Sequence, residues 1–431
     1  MTLNANKKSD RNKIPDNIIN NVLLNQAIEQ LLPINYNFEI HKTIARIRVL
    51  NAKRIALQLP EGLQLFACVL SDILSKFAYE NSEFVDIIIM GDVTYGACCI
   101  DDYTSRALDC DLLIHYGHSC LVPLDCSKTF YVFVYINIDI KHFIDSVMVN
   151  FDDGSHLVLV ATIQFISTLQ AVRTELSKKF TVTIPKSAPL SFGEILGCTA
   201  PTVADADFIL YLGDGRFHLE AVMMANPNLP AFRYDPYSKE ITREKYDHSL
   251  MQSNRLNAIV TARKAKTFGI ILGTLGRQGS SAVLDSVIAC IQQRGLNHVI
   301  ILLSEVFPNK LDMFGDSIDA FIQIACPRLS IDWGTFFKKP LLTPYEAAVA
   351  LGIAKWMPND HYPMDFYAHD SLGKWTPNHN PAKLIRRKHI VVGEKKMPET
   401  LVQMPTVSRS GAPACAEHEW ENCTNCTCMH N

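Results

Sequence analysis

Short runs of apolar residues recur along the chain, and each run has the length of a single β-strand. The runs fall into three sets of four, at 54–60, 86–92, 111–117 and 129–136, at 157–163, 180–185, 207–213 and 231–235, and at 268–273, 298–304, 320–325 and 340–343. The first run of each set leads through a short polar loop into a segment with helical spacing, at 63–79, 167–180 and 280–293. Continuous apolar strands that alternate with helices predict parallel sheets covered on both faces.

The third run of each set begins and ends with the same kinds of residue. An aspartate opens it (Asp111, Asp207 and Asp319), and a small residue follows six positions later (Gly117, Gly213 and Ala325). A repeated pattern of this length is typical of repeated structural units. We therefore predict an α/β fold of three tandem homologous units, with parallel sheets arranged around a central site.

The units are flanked by segments of different composition. We expect an N-terminal extension with one helix over 15–32, and a final aromatic segment that wraps back over the surface. After about residue 378 the chain turns polar and basic, which predicts a flexible tail that ends in Cys423, Cys426 and Cys428. The predicted division is 1–40, 41–150, 151–265, 266–355, 356–377 and 378–431.

Charge and composition exclude several classes of partner. The 431 residues carry 41 Lys+Arg against 44 Asp+Glu, so no strong basic field attracts nucleic acid or a membrane surface. The apolar runs are too short for a membrane helix, and the first residues lack the apolar run of a secretory signal. We expect a cytoplasmic protein, whose 13 cysteines are metal ligands or inert residues rather than a disulfide framework.

Three cysteines follow predicted strands, one in each unit. Cys98 and Cys198 follow the second strand of their units, whereas Cys326 follows a third strand. Ligands collect at the carboxyl ends of parallel strands, so the three thiols are candidates for one shared metal site. Such a site could hold a zinc ion whose fourth ligand is water. It could also hold a 4Fe–4S cluster in which one iron has no protein ligand. We predict other roles for the remaining cysteines: buried apolar residues (Cys68, Cys110 and Cys290), a neighbour that points away (Cys99), and residues near the site without a role (Cys120 and Cys126).

Three loops at strand ends are candidates for binding an anionic or nucleoside-bearing ligand. One joins a strand to a helix and contains Gly276, Arg277, Gln278 and Gly279. Free amides at such a junction favour a carboxylate or phosphate, although a tight structural turn explains the glycines equally well. The second loop offers Asp214, Arg216 and His218, and the third offers His115 and His118.

Several longer motifs resemble one known family. They are GDVTYGACCIDD (91–102), HYGHSCL (115–121), GEILGCTAP (193–201), YLGDGRFHLE (211–220), GTLGRQGS (273–280) and ACPRLSIDWG (325–334). Over about residues 15 to 380 the chain resembles the diphthamide biosynthesis synthases, and among them the first subunit of the eukaryotic enzyme.

The resemblance implies an unusual radical enzyme that uses S-adenosylmethionine. By resemblance, Cys98, Cys198 and Cys326 hold a 4Fe–4S cluster whose electron cleaves the S–Cγ bond of that cofactor. The 3-amino-3-carboxypropyl group then passes to C2 of a histidine in translation elongation factor 2. Loop residues 276–279, with Asp214 and Arg216, are the predicted contacts of S-adenosylmethionine.

The resemblance also implies partners and leaves rival functions open. The partners are a homologous second synthase subunit in a heterodimer, a small iron-binding electron donor with its reductase, and translation elongation factor 2 as substrate. One alternative is the non-catalytic partner subunit of the same complex. The others are a lyase similar to quinolinate synthase, in which the open iron acts as a Lewis acid, and a structural zinc protein.

Overall fold

The computed structural model describes residues 14–80, 84–92, 94–122, 124 and 128–380. Cys126 and the tail cysteines Cys423, Cys426 and Cys428 lie outside these residues. The strands are β1 (Tyr36–Asn37), β2 (Arg54–Gln58), β3 (Asp86–Ile89), β4 (Leu112–Tyr116), β5 (Thr129–Val132), β6 (Tyr135–Ile136), β7 (His156–Ala161), β8 (Thr181–Thr183), β9 (Phe208–Leu212), β10 (Ala231–Asp235), β11 (Glu240–Glu244), β12 (Thr267–Gly273), β13 (Asn297–Leu303), β14 (Ala320–Ile324) and β15 (Leu341–Leu342).

Helices cover and connect these strands. They are α1 (Asp16–Ile19), α2 (Val22–Leu31), α3 (Ile40–Leu50), α4 (Ala67–Phe77), α5 (Asp102–Ala107), α6 (Ile140–Asn150), α7 (Ile166–Leu176), α8 (Phe217–Ala225), α9 (His248–Ala262), α10 (Ser281–Gln293), α11 (Pro308–Asp312), α12 (Pro327–Trp333) and α13 (Pro344–Ala350). Among the described residues, no helix is both long and apolar enough to cross a membrane.

Three sheets repeat one strand order. The first runs β3-β2-β4-β5, the second β8-β7-β9-β10-β11, and the third β13-β12-β14-β15. In each sheet, the second strand of the unit lies at the edge, and the first, third and fourth strands follow it in that order. In the second sheet, β11 is added after the fourth strand. All pairs in these sheets are parallel except β10 with β11. This confirms the predicted fold class. The boundaries between the units stay predictions.

The aspartate that opens the third strand has one structural role in all three units. Asp111 accepts hydrogen bonds from the backbone N–H groups of Lys53 and Arg54, at 2.8 and 2.9 Å. Asp207 accepts one from His156 at 2.7 Å, and Asp319 accepts two, from Lys266 and Thr267. These bonds hold the pKa of Asp111 and Asp319 below its usual value. Each aspartate thus fixes the start of the neighbouring first strand.

Two predicted elements are divided in the structure. The expected single helix over 15–32 is two helices, because the Asn21 side chain accepts a hydrogen bond from Leu24 N–H and caps the start of α2. The expected strand over 129–136 splits into β5 and β6 at Val134, which has a positive φ of 56°. β6 then pairs with β1 in a separate antiparallel ribbon, so the N-terminal extension joins the first unit.

The units are joined through shared apolar cores. One buried cluster contains Val158 and Ile209 of the second sheet together with Ile270 and Ile322 of the third. Another contains Leu113 of the first sheet with residues of the second. Because burial of apolar surface drives this packing, the loops at the ends of the three sheets keep defined positions relative to one another.

Candidate metal centre

Cys98, Cys198 and Cys326, here called the cysteine triad, lie in three different turns that the fold brings together. Cys98 lies in a short 3₁₀ turn after β3, and Cys198 lies in the long loop between β8 and β9. Cys326 is the residue before α12 and follows β14. Cys98 and Cys198 pack against the same small apolar cluster, which consists of Ala97, Leu121, Leu190, Phe366 and Tyr367.

The three thiols affect one another electrostatically. The pKa of the Cys98 thiol is raised well above its ordinary value by a hydrogen bond with Cys99 and by burial, and Cys326 and Cys198 raise it further. Burial and the proximity of Cys326 raise the pKa of Cys198 to about 12, and burial raises that of Cys326. The metal-free thiols are therefore protonated at neutral pH, and binding of a cationic group would release these protons.

A single metal ion and an iron–sulfur cluster need differently arranged ligands. Among the described residues, no three histidine, cysteine or carboxylate side chains form a group that could hold one metal ion. A 4Fe–4S cluster takes one thiolate per iron, so its ligands lie farther apart than those of a tetrahedral zinc. The thiols of Cys98, Cys198 and Cys326 are each partly accessible, so a metal group could reach all three.

The other cysteines differ from the triad in environment. The expectation that Cys99 points away from the site is wrong, because its buried thiol forms a hydrogen bond with the Cys98 thiol and raises the pKa of Cys326. Cys110, Cys120 and Cys290 are half-buried. The expectation of a buried Cys68 is wrong, because this residue is on the exposed face of α4.

The structure places the loop 276–279 against the turn of Cys98. The backbone N–H of Arg277 donates to the carbonyl oxygen of Cys98 at 3.0 Å. The Arg277 guanidinium forms two 2.6 Å bonds with Asp102, and the Gln278 amide lies 3.4 Å from the sulfur of Cys99. Gly276 has a φ of +55°, and any side chain there would collide with the Cys99 carbonyl. The role of Gly276, Arg277, Gln278 and Gly279 in binding S-adenosylmethionine stays a prediction.

The loop 213–218 lies beside the turn of Cys198. Its Phe217 ring is so close to Gly197 that a Cβ on that glycine would lie 2.0 Å from the ring. Arg216 is exposed and pairs with Glu244 at 3.2 Å and Glu220 at 3.5 Å. The backbone oxygen of Asp214 accepts a hydrogen bond from Tyr211. For Asp214 and Arg216, too, contact with the cofactor stays a prediction.

Sequence reasoning missed the role of Arg328. Its side chain is 3% exposed and lies in the first turn of α12, two residues after Cys326. It donates to the carbonyl oxygens of Phe217 and Gly197 at 2.7 and 3.3 Å, and it pairs with Glu220 and Asp332. One guanidinium thus connects the turns of Cys326 and Cys198. The only local signal is a cation within the motif ACPRLSIDWG.

The sequence predicted a wrap-back segment over 356–377 but not its contact with the triad, which residues 362–379, here called the return segment, make in the structure. The N–H groups of Phe366 and Tyr367 donate to Cys198 O and Thr199 Oγ1, at 3.3 and 3.0 Å. The Tyr367 hydroxyl is buried, and burial followed by the three triad cysteines raises its pKa well above the usual value. A buried phenol beside three thiols gives the site a hydrogen-bond donor that no local motif indicates.

Two partly buried histidines, His118 and His218, make the metal-free protein sensitive to acid. Burial lowers the pKa of His118 to about 4, and burial followed by His118 and Arg328 lowers that of His218 to about 4. An unfolded histidine has a pKa of about 6.5, so between pH 4 and 6.5 the unfolded state binds more protons. The stability that these groups contribute is present near neutral pH and is lost as pH falls.

We expect His118 and His218 together to lower the free energy of unfolding of the metal-free protein by about 4 kcal/mol between pH 7 and pH 5. Urea titrations at the two pH values measure this change. The double variant His118→Gln, His218→Gln is expected to remove this part of the pH dependence, whereas the part from the fully buried His115, whose pKa is also lowered, remains. His298→Gln on the edge strand β13 serves as the control. An unchanged pH dependence in the double variant would contradict the assignment.

Comparisons with known proteins identify relatives of this chain. The profile of the family described as "Putative diphthamide synthesis protein" matches residues 59–363. The chain is 56% identical over 380 residues to 2-(3-amino-3-carboxypropyl)histidine synthase subunit 1 of Bos taurus, which covers 87% of this chain and 85% of the relative. It is 53% identical over 394 residues to the Schizosaccharomyces pombe protein of the same name, with 88% of each chain covered.

A solved structure also has this fold. Dph2 from Pyrococcus horikoshii, solved with a 4Fe–4S cluster, superposes with a TM-score of 0.62 at 26% sequence identity. The match covers 77% of this chain and 94% of that chain. With a family profile over most of the described residues and relatives above 50% identity, the chain belongs to the diphthamide synthesis family.

Proposed function

We propose that this chain is the catalytic subunit of a synthase that acts in the first step of diphthamide biosynthesis. The reaction transfers the 3-amino-3-carboxypropyl group of S-adenosylmethionine to C2 of a histidine in translation elongation factor 2. The observation that carries the proposal is the convergence of Cys98, Cys198 and Cys326 from three units, in a family with a member solved with a 4Fe–4S cluster.

The cysteine triad would hold the cluster by three of its irons. When bound, a 4Fe–4S group with one iron free of protein ligands supplies an open coordination site and an electron of low potential. The chain's own residues give this site its shape. Arg328 connects the turns of Cys198 and Cys326, and the loop 276–278 contacts the turn of Cys98. Such outer partners orient ligands and affect the affinity for the metal.

The surroundings of the triad also restrict water. Ala97, Leu121, Leu190, Phe366 and Tyr367 are all buried, and they cover one side of the thiols. In a site of low polarity, the buried Tyr367 hydroxyl and neighbouring amides interact with a bound charged group more strongly than they would in water. The accessible side of the triad is left for the substrate, whose orientation selects the bond that breaks.

The proposed partners follow from the family and the relatives' names. Relatives named subunit 1 imply a complex, and we propose a homologous second subunit as the partner in a heterodimer in the cytoplasm. A small iron-binding protein with a reductase would deliver the electron. Translation elongation factor 2 would present its histidine at the accessible side of the triad.

The test is anaerobic reconstitution of the chain with its second subunit, followed by reduction and addition of S-adenosylmethionine and elongation factor 2. We expect a reduced 4Fe–4S signal in electron paramagnetic resonance that changes when S-adenosylmethionine is added. We also expect release of methylthioadenosine and a mass increase on one histidine of the factor.

Other results would identify the rival functions. A colourless protein that contains zinc would favour a structural metal site and contradict the proposal. Full transfer activity when the cluster is absent from this chain but present in the second subunit would make this chain the non-catalytic partner. A cluster that does not respond to S-adenosylmethionine would favour a lyase in which iron acts as a Lewis acid.

A further inference from the structure

A bidentate ion pair joins the third unit to the first beside Cys98. Arg277, after β12, donates from Nε and Nη2 to the two carboxylate oxygens of Asp102 on α5, each at 2.6 Å. The two residues are 175 positions apart in the sequence. The Arg277 guanidinium also stacks on the Tyr103 ring at 4.0 Å. Paired N–H···O bonds of this kind fix direction as well as distance.

The pair is well shielded from water. The Asp102 side chain is 0% exposed and that of Arg277 is 13% exposed. Arg106 is the other cation near Asp102, but it is 3.7 Å away and 41% exposed. Arg277 is therefore the main counter-charge of a buried carboxylate. Removal of one member leaves the other charge buried and unpaired, which costs more than the pair itself contributes.

The same loop contacts the backbone of the cysteine turn. The N–H of Arg277 donates to Cys98 O at 3.0 Å, and Gly276 approaches the Cys99 carbonyl so closely that no side chain fits between them. The Gln278 amide contacts the Cys99 sulfur. Asp102 in turn is the first residue of α5, the helix that begins three residues after Cys99. The ion pair and the backbone contact therefore hold the Cys98 turn from both sides.

We propose that Arg277 and Asp102 are a positioning pair that holds the Cys98 thiol in place relative to Cys198 and Cys326. The pair acts across a boundary between units, so it sets the distance between the first unit's thiol and the other two. Its consequence for cluster binding rests on the proposed function, but its effect on the Cys98 thiol does not. This role goes beyond that function, because it assigns to Arg277 a task other than contact with S-adenosylmethionine.

The first experiment measures thiol reactivity in the metal-free protein. Wild type, Arg277→Gln, Asp102→Asn and the double variant are treated with iodoacetamide, and alkylation of each cysteine is followed by peptide mass spectrometry. We expect alkylation of Cys98 to become about tenfold faster in the single variants, while Cys198 and Cys326 change less than about twofold. The double variant is also expected to be alkylated faster at Cys98, because it lacks the bidentate contact even though it leaves no unpaired buried charge.

A matched control breaks another buried Arg–carboxylate pair. Arg255 donates to both oxygens of Glu346 at 2.7 Å, and both side chains are nearly inaccessible. Arg255→Gln is expected to lower the melting temperature without raising Cys98 alkylation selectively. Arg277→Lys keeps the positive charge but cannot form two parallel N–H···O bonds with Asp102. It is expected to increase the rate of Cys98 alkylation by an intermediate amount.

The second experiment measures loss of iron from the reconstituted protein to a chelator. We expect it to be about tenfold faster in the single Arg277 and Asp102 variants than in wild type. An equal rise in alkylation at all three thiols, or no rise at Cys98, would overturn the positioning role. If wild type binds no cluster, the proposed function fails, whereas the selective change at Cys98 still tests the pair.

Discussion

Replacement of any one member of the cysteine triad by alanine is expected to abolish the iron–sulfur cluster and the transfer reaction. Each of Cys98, Cys198 and Cys326 comes from a different unit, so removal of one thiol would detach the cluster from one whole unit. Loss of an outer partner of a metal site costs about 10- to 100-fold in affinity or activity. Loss of a ligand itself should cost at least about 100-fold. Iron and sulfide content, visible absorption and methylthioadenosine release measure the effect.

Two other cysteines provide controls for this experiment. Cys68 is exposed on α4 and Cys290 is half-buried on α10. Cys68→Ala and Cys290→Ala make the same chemical change, and both are expected to retain the cluster and full activity. A triad variant with normal iron content and normal product release would rule out that cysteine as a ligand.

The variant Arg328→Met is expected to destabilise the metal-free protein by about 3 kcal/mol. The substitution keeps an apolar stem over the Phe217 ring, but Asp332 loses its cation and Glu220 loses its shorter ion pair. Partial exposure of both carboxylates places the cost at the low end of the range for buried pairs. Urea titration measures the change in the free energy of unfolding.

Arg216→Met is the control for Arg328→Met. Arg216 also pairs with Glu220, but 47% of its side chain is exposed. A surface ion pair of this kind contributes about 0–1 kcal/mol, so the control should remain close to wild type. In reconstituted protein, Arg328→Met is also expected to lose cluster, because the turns of Cys198 and Cys326 are no longer connected. Equal stability of the two variants would contradict this account of Arg328.

The sequence was sufficient to predict the three repeated sets of strands and the α/β fold class, for physical reasons that the structure makes clear. Each central strand is buried on both faces, so it is a continuous apolar run, and β4, β9 and β14 are buried along their whole length. The aspartates that open these strands are repeated because each binds the backbone of the first strand in its unit. By contrast, β11 has the sequence Glu-Ile-Thr-Arg-Glu, and so short an alternation gives too weak a signal to predict a strand.

The surroundings of the candidate site could be predicted only in part. The strand-end positions of Cys98, Cys198 and Cys326 follow from local pattern, but which side chains meet there depends on packing between units. The Arg277–Asp102 pair joins residues 175 positions apart, and Tyr367 reaches Thr199 across 168 positions. No local rule relates residues at such separations. The loop of Arg277 was therefore predicted to face a ligand, whereas its side chain forms an ion pair within the protein.

The order of the three thiols along the chain affects when the metal site can be assembled in the cell. A ribosome releases the first unit, then the second, and Cys326 emerges only when about three-quarters of the chain has been made. The return segment with Tyr367 emerges later still. A chain that ends before Cys326 therefore carries an incomplete set of thiols, so the complete site can form only late in translation or after it. Cells that make this protein faster than they supply iron and sulfide would accumulate a folded, metal-free form.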